Sequence, residues 1–387
     1  MPTLSKFFPL IVVVALTLLL PFLGAWLGGQ PISDLMALPL TQRPWDPWPP
    51  QQGITLAANL VSLGLILVLV LLARPGRRDD TARQPEAAAT AMQASWPRYG
   101  WLGVFALIAA VIAWDGAAIQ VAIALVTLAA MLFAGADTQR RTGTSLIRQR
   151  PGYFFSLFPA SLVLGWTFYW VNLFLGLWAY PGATETVPFV VGKSIDYAVL
   201  LPAVLVLRQW LASFPWLLRM TNRARPLPGT ATPQEGWTLL GLGSVALVGA
   251  ALWPDWLYGL TLLAPLLLAL GLSQLRGRDT LLAGLGRGDW SRVLLPAAAA
   301  LLVGLIAQGG NALLGPAWVI ELPLLGGPML FDLPLPAWLV IAALGLLGVW
   351  VADQLTAPWQ QRPQQPAYRP RFPIRVAVED LLHKPKR

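Results

Sequence analysis

The chain has 387 residues, of which 56% are apolar and only 12% charged, too few charged groups to solvate the surface of a water-soluble fold of that size. It has no cysteine and a single histidine, His383, which disfavours haem, iron–sulfur, thiol-redox and cysteine- or histidine-built zinc chemistry together and leaves any ion to carboxylates and carbonyls. The formal net charge of +9 sits in short segments between apolar runs and not along one amphipathic face, so nucleic acid is not an expected partner.

Apolar runs long enough to cross about 30 Å of hydrocarbon, roughly 20 helical residues each, recur along the chain, and backbone that meets lipid has to be helical. The predicted spans are 7–27, 54–73, 99–114, 117–135, 153–178, 188–207, 237–253, 256–274, 292–311 and 336–355. The first run follows Lys6, but it exceeds a signal-peptide core and no Ala-x-Ala site follows, so it is expected to stay as a helix. The loop 28–53 carries Trp45-Asp46-Pro47-Trp48-Pro49-Pro50; its prolines exclude regular helix, and its tryptophans suit the headgroup level. With the N-terminus inside, every Lys and Arg except Arg43 and Lys193 falls on the cytoplasmic side. That alternation predicts an even number of spans, about ten, with both termini cytoplasmic in the bacterial inner membrane.

The resulting organisation is an N-terminal transmembrane hairpin (1–74), a flexible cytoplasmic linker (75–98) rich in Arg, Asp, Gln, Pro and Ala, two four-helix units (99–235 and 236–356), and a basic tail (357–387) suited to anionic lipid. The two units share landmarks in order: Trp101 with Trp237, Trp114-Asp115 with Trp253-Pro254-Asp255, Pro159 with Pro296, Asn172 with Asn311, Trp178 with Trp318, Asp196 with Asp332, and Trp210 with Trp350, at offsets of 136 to 140 residues. Four helices per unit give both copies the same orientation, and hence a parallel repeat about an axis along the membrane normal with a ligand site between the halves.

Polar residues within the spans carry most of the functional information, because an amide or charge facing hydrocarbon is costly without a partner. Asn172 is expected to face protein and to share hydrogen bonds with Thr167, Tyr169 or Trp170, beside Trp166, while Gln308 and Asn311 fall on one face of the corresponding helix. Two roles are open for these groups: interhelical hydrogen bonding worth about 0.6 to 2 kcal/mol, or the polar floor of a ligand cavity. Lys193 and Asp196 lie three apart near the external end of their helix, either as a local ion pair with Lys193 reaching outward or as a substrate or proton site. Glu321 and Asp332 belong to the loop 312–335, whose prolines predict a non-helical cap. Asp353 is expected to be solvated beside the basic tail. The ligand-binding candidates are thus Trp166, Tyr169, Asn172, Lys193, Asp196, Gln308, Asn311 and Asp332, with no catalytic or metal-binding residue assigned.

At Arg140-Arg-Thr-Gly-Thr-Ser-Leu146, Tyr169-Trp-Val-Asn172, Trp178-Ala-Tyr180, Gly286-Arg-Gly-Asp-Trp290, Gln308-Gly-Gly-Asn311 and Phe331-Asp-Leu-Pro334, the chain resembles a family of bacterial polytopic membrane proteins without assigned function, over roughly residues 97–355. That family's pattern has Glu-x-x-Asn in each half and a Phe-Glu-Met-Pro turn; Tyr169, Gln308 and Asp332 stand here at its glutamate positions. If glutamates do acid–base work in that family, the resemblance implies that this chain has lost two of the three. The expected function is a non-catalytic subunit of a membrane complex or a binder of a lipid, isoprenoid or quinone, with membrane lipids and other membrane subunits as partners. A secondary transporter using Lys193 and Asp196 is the alternative, followed by a lipid-modifying enzyme using Asp196, Asp332 and Glu321.

Overall fold

The computed structural model describes residues 4–30, 38–73, 97–113, 119–227, 232–277, 281–315 and 317–356; the expected linker up to residue 96, the basic tail and Trp114-Asp115 lie outside the described residues. Ten long helices follow one another: α1 (Leu4–Leu27), α2 (Gln52–Ala73), α3 (Arg98–Ile112), α4 (Ile119–Thr142), α5 (Pro151–Leu175), α6 (Thr186–Ala212), α7 (Pro233–Leu252), α8 (Pro254–Leu275), α9 (Ser291–Leu314) and α10 (Leu335–Thr356). Among the described residues, nine helices are long and apolar enough to cross a membrane, and the chain is an all-α polytopic membrane protein. The tenth, α3, is apolar but has 15 residues, about 22 Å at 1.5 Å per residue and shorter than the hydrocarbon layer.

Helix ends depart from the apolar runs where capping chemistry takes over. The run 117–135 continues as helix to Thr142: Asp137 and Arg141 pair at i,i+4 with 2.6 Å between them, and Arg140 and Arg141 in the last turn suit the helix dipole. The run 153–178 stops at Leu175, because Gly176 takes φ 59 and sends its N–H back to the Asn172 carbonyl, a left-handed cap that glycine adopts without penalty. Trp178 therefore lies in a two-residue strand, β1 (Trp178–Ala179), which pairs antiparallel with β2 (Val319–Ile320). Strands β3 (Met329–Leu330) and β4 (Leu333–Pro334) form a hairpin within the second loop.

α3–α6 and α7–α10 each pack as neighbouring helices, and the two groups meet through α6 and α4 against α9, and through α5 against α8 and α10. The first two helices dock at separate places. α1 lies against α7 and α8 and reaches α5, where the Trp170 indole N–H donates to the Leu18 carbonyl at 3.0 Å. α2 packs chiefly on α10 and buries only Ser62 and Ala73, so most of its apolar surface is left uncovered by the rest of the chain.

At one end of the bundle, three loop segments interlock. The Tyr180 N–H donates to the Leu40 carbonyl, Glu321 N–H to Leu177, Leu324 N–H to Trp48, and Gln51 N–H to Leu324. The segment 38–51 is thus fastened to the protein: Trp45 packs against the core while Trp48 stays half exposed beside Trp256. At the opposite end, Arg225 N–H donates to the Leu72 carbonyl and Arg292 pairs with Asp353 at 2.5 Å. Asp353 is therefore mostly buried and not solvated, because α9 presents a guanidinium to it inside the bundle.

Candidate functional site

A cavity of about 640 Å³ lies between the two helix groups, walled by α4, α5 and α6 on one side and α8, α9 and α10 on the other, with Ile54 and Ala58 of α2 closing part of its flank. The volume falls within the roughly 300–1,000 Å³ typical of small-molecule pockets. Leu164, Phe168, Leu200, Val303, Val340 and Leu344 represent its apolar lining. Most of its polar groups gather at the looped end: Lys193, Asp196, Asp255, Tyr180, Tyr197, Tyr258 and Gln308, with the rings of Trp178 and Trp318, while Thr127 and Ser161 line the walls.

Two asparagines hold those rings in place. Asn172, at the end of α5, accepts from the N–H groups of Leu177 (2.9 Å) and Trp178 (3.2 Å) and donates to the Trp178 carbonyl at 2.7 Å. Asn311, near the end of α9, accepts from Ala317 (2.8 Å) and Trp318 (3.1 Å) and donates to the Trp318 carbonyl at 2.8 Å. Each amide uses its carbonyl oxygen and one N–H to fold the chain back over its own helix, and β1 then pairs with β2. The partners expected for Asn172 are engaged elsewhere: Thr167 donates to Val163, Trp170 to Leu18, and Tyr169 accepts from Leu40 N–H at 2.9 Å. Asn172 and Asn311 are thus helix-end clamps, neither interhelical glue nor a cavity floor, because the nearest unpaired backbone groups belong to the turns that follow them.

Lys193 is buried, at 3% side-chain exposure, and does not reach outward. Its Nζ lies 2.8 Å from Asp196 Oδ2 and over two rings, Tyr180 at 4.7 Å and Trp318 at 4.6 Å, one from each half of the molecule. Cation–π contacts of this kind gain strength away from water. Asp196 is 12% exposed, and its Oδ1 has no hydrogen-bond partner. The Tyr180 and Tyr197 hydroxyls lie 3.3 Å apart. Burial above all, then the neighbouring Tyr197 and Asp196, push the Tyr180 phenol well above its ordinary value, so it stays protonated.

A hydroxyl from α5 bonds to the backbone of α6 beside this pair. Leu201 N–H donates to Ser161 Oγ at 2.9 Å, and Ser161 Oγ donates to the Tyr197 carbonyl, so the hydroxyl of α5 bonds to both ends of one helical rung. Pro202 follows and removes the next N–H. Gly165, one turn beyond Ser161, lets Tyr197 approach: a Cβ there would stand 2.3 Å from the Tyr197 ring. Gly165→Ala is expected to cost about 1–3 kcal/mol through overpacking, read as a lowered midpoint of unfolding in mixed micelles; an unchanged midpoint would mean that the α5–α6 contact is loose.

Of the predicted residues, Lys193, Asp196 and Gln308 line the cavity. Trp166 stands behind its wall, donating to Ser194 Oγ at 3.1 Å with its ring edge-on to Tyr169 and Tyr197. Tyr169, Asn172 and Asn311 support the looped end as described. Asp332 is exposed and occupies the β3–β4 turn at φ 63, apart from the cluster. Ser161, Gly165, Tyr180 and Trp318 were not among the predicted ligand residues, although Ser161-x-x-x-Gly165 is the small-residue spacing of closely packed membrane helices. The pairing of Arg43 with Asp255 at 2.7 Å, both nearly buried, was also missed; Asp255 accepts from Trp48 N–H as well. Burial holds the Arg43 guanidinium below its ordinary pKa against the opposing pull of Asp255. A second, more open groove of about 660 Å³, lined by Asp137, Trp210, Leu302 and Phe331 among others, lies between α4, α6 and α9. Among the described residues no three His, Cys, Asp or Glu side chains come together as metal ligands. No protein-family model, curated protein or solved structure matches the chain.

Proposed function

We propose that the protein binds a lipophilic ligand, such as a lipid, isoprenoid or quinone, in the cavity between its two halves, acting as a binding subunit of the bacterial inner membrane with both termini cytoplasmic. The observation that carries this is the cavity itself: a largely apolar chamber between helix groups with its charged groups at one end, the shape of an amphiphile.

The halves are taken as copies of one unit. In support, Asn172 and Asn311 make the same three hydrogen bonds. Trp210 donates to Asp137, and Trp350 to Ser273, from corresponding positions. If Trp178 corresponds to Trp318, Ala179 corresponds to Val319, and those two residues pair with each other in antiparallel register, as an axis passing between them requires. The asparagines of the resembled family's Glu-x-x-Asn pattern fall on the two clamps. A carrier is the second reading, favoured by the buried Lys193–Asp196 pair that lines the cavity, since ionisable residues inside the membrane mark many transport pathways.

Purification in a mild detergent followed by native mass spectrometry tests the binder: a retained lipophile is expected on the wild-type chain. It should be lost from Ala58→Trp, which fills the flank from the lightly packed α2. A ligand-free wild-type chain, or one whose lipid load is untouched by Ala58→Trp, would remove the cavity as its site. Counterflow of the identified ligand in proteoliposomes separates carrier from binder.

A further inference from the structure

We infer that the polar end of the cavity recognises the hydroxyl of a lipid alcohol, with Asp196 Oδ1 as its acceptor; this rests on the cavity being the lipophile site. Lys193 is already engaged, by Asp196 Oδ2 at 2.8 Å and by the rings of Tyr180 and Trp318. An anionic head would therefore meet a neutralised cation behind two aromatic faces and, next to it, a carboxylate. An ammonium head would compete with Lys193 for the same carboxylate at close range, and like charges at that distance repel strongly where water is scarce.

What the site leaves open is an acceptor. Asp196 Oδ1 is buried without a partner, and a buried polar atom calls for a donor. Asp196 lines the cavity, and a small turn of its carboxylate sets Oδ1, otherwise closed over by protein, against a donor inside it. A complementary donor stands nearby: when two phenols share one hydrogen bond, as Tyr180 and Tyr197 do at 3.3 Å, one O–H is left to donate elsewhere. A hydroxyl both donates and accepts, and so satisfies both groups. The apolar lining takes the chain behind it.

The test compares three ligands with one tail on the purified full-length chain in nanodiscs: oleyl alcohol, oleyl methyl ether, which cannot donate, and oleic acid. The alcohol is expected to bind about tenfold to a hundredfold more tightly than the ether, the worth of a hydrogen bond to a charged acceptor. That advantage should vanish in Lys193→Met/Asp196→Leu, which removes the charges together and keeps the volume, while all three tails still bind. Equal affinity for alcohol and ether would overturn the head-group assignment and leave the cavity reading standing. Tighter binding of the acid would overturn it in favour of an anion site at Lys193. Failure of every ligand, or binding that Ala58→Trp does not reduce, would sink the cavity reading and this inference with it.

Discussion

Lys193→Met and Asp196→Leu are each expected to destabilise the protein severely, and the two together hardly at all. Removing one partner of a buried ion pair strands the other charge at a cost of about 3–5 kcal/mol, whereas replacing both by apolar groups of similar volume is often neutral or stabilising. The single costs should differ. After Asp196→Leu, the Lys193 ammonium still faces Tyr180 and Trp318 at 4.7 and 4.6 Å, contacts worth up to about 2 kcal/mol when desolvated. After Lys193→Met, the carboxylate has lost the donor to Oδ2, and Oδ1 has none already. Lys193→Met is therefore the more damaging change. Equilibrium unfolding in mixed micelles over the full double-mutant cycle measures this. Additive costs would mean that the two residues are not coupled, and a severely unstable double variant would mean that the pair contributes more than its mutual neutralisation.

The cycle also bears on why such a pair is present. If the apolar double variant is as stable as wild type yet binds the alcohol no better than the ether, the charges serve the ligand and not the fold. They would then be the feature at which this membrane protein departs from the cheapest way of filling a helix interface.

The membrane helices were legible because hydrocarbon thickness imposes about 20 apolar residues on each span, a signal independent of neighbours. Their ends were less so. Trp178 sits in an apolar run that looks helical, and only the left-handed Gly176 turns it into a strand. Asn172 was legible as a residue that needs partners, but the choice among partners is geometric: it bonds forward to residues 177 and 178 in preference to the hydroxyls and indole on its own helix. Lys193 and Asp196 were legible as a local pair, three residues apart. The second ring over Lys193 comes from Trp318, in the other half, and nothing in local periodicity brings those two together. Arg43 stood out as a cation away from the other basic segments. A buried guanidinium demands a counterion, and Asp255 lay in view among the repeat landmarks, but the fold of segment 38–51 that joins them is set by tertiary hydrogen bonds such as Trp48 N–H to Asp255.

The asparagine clamps provide the other large expected effect. Asn172 is fully buried and Asn311 nearly so. Asn172→Ala leaves the N–H groups of Leu177 and Trp178 and the Trp178 carbonyl without their side-chain partner. At about 1–3 kcal/mol for each buried group left unmade, and with some recovery through water at the looped end, the net cost is about 3–5 kcal/mol. Asn311→Ala exposes the same set at Ala317 and Trp318, and a comparable loss is expected. Asn→Asp at either position keeps the acceptor but forfeits the bond to the tryptophan carbonyl and buries a charge, so it should be no milder than alanine, whereas a clamp acting only through its carbonyl oxygen would tolerate aspartate. Because β1 and β2 pair at the looped end of the cavity, loosening one loop deprives the other of its partner, and the double alanine variant is expected to cost less than the sum of the singles. Unfolding midpoints of the four chains decide this. Strict additivity would mean that the two loops stand independently, and that the rings of Tyr180 and Trp318 are positioned around Lys193 by their own halves alone.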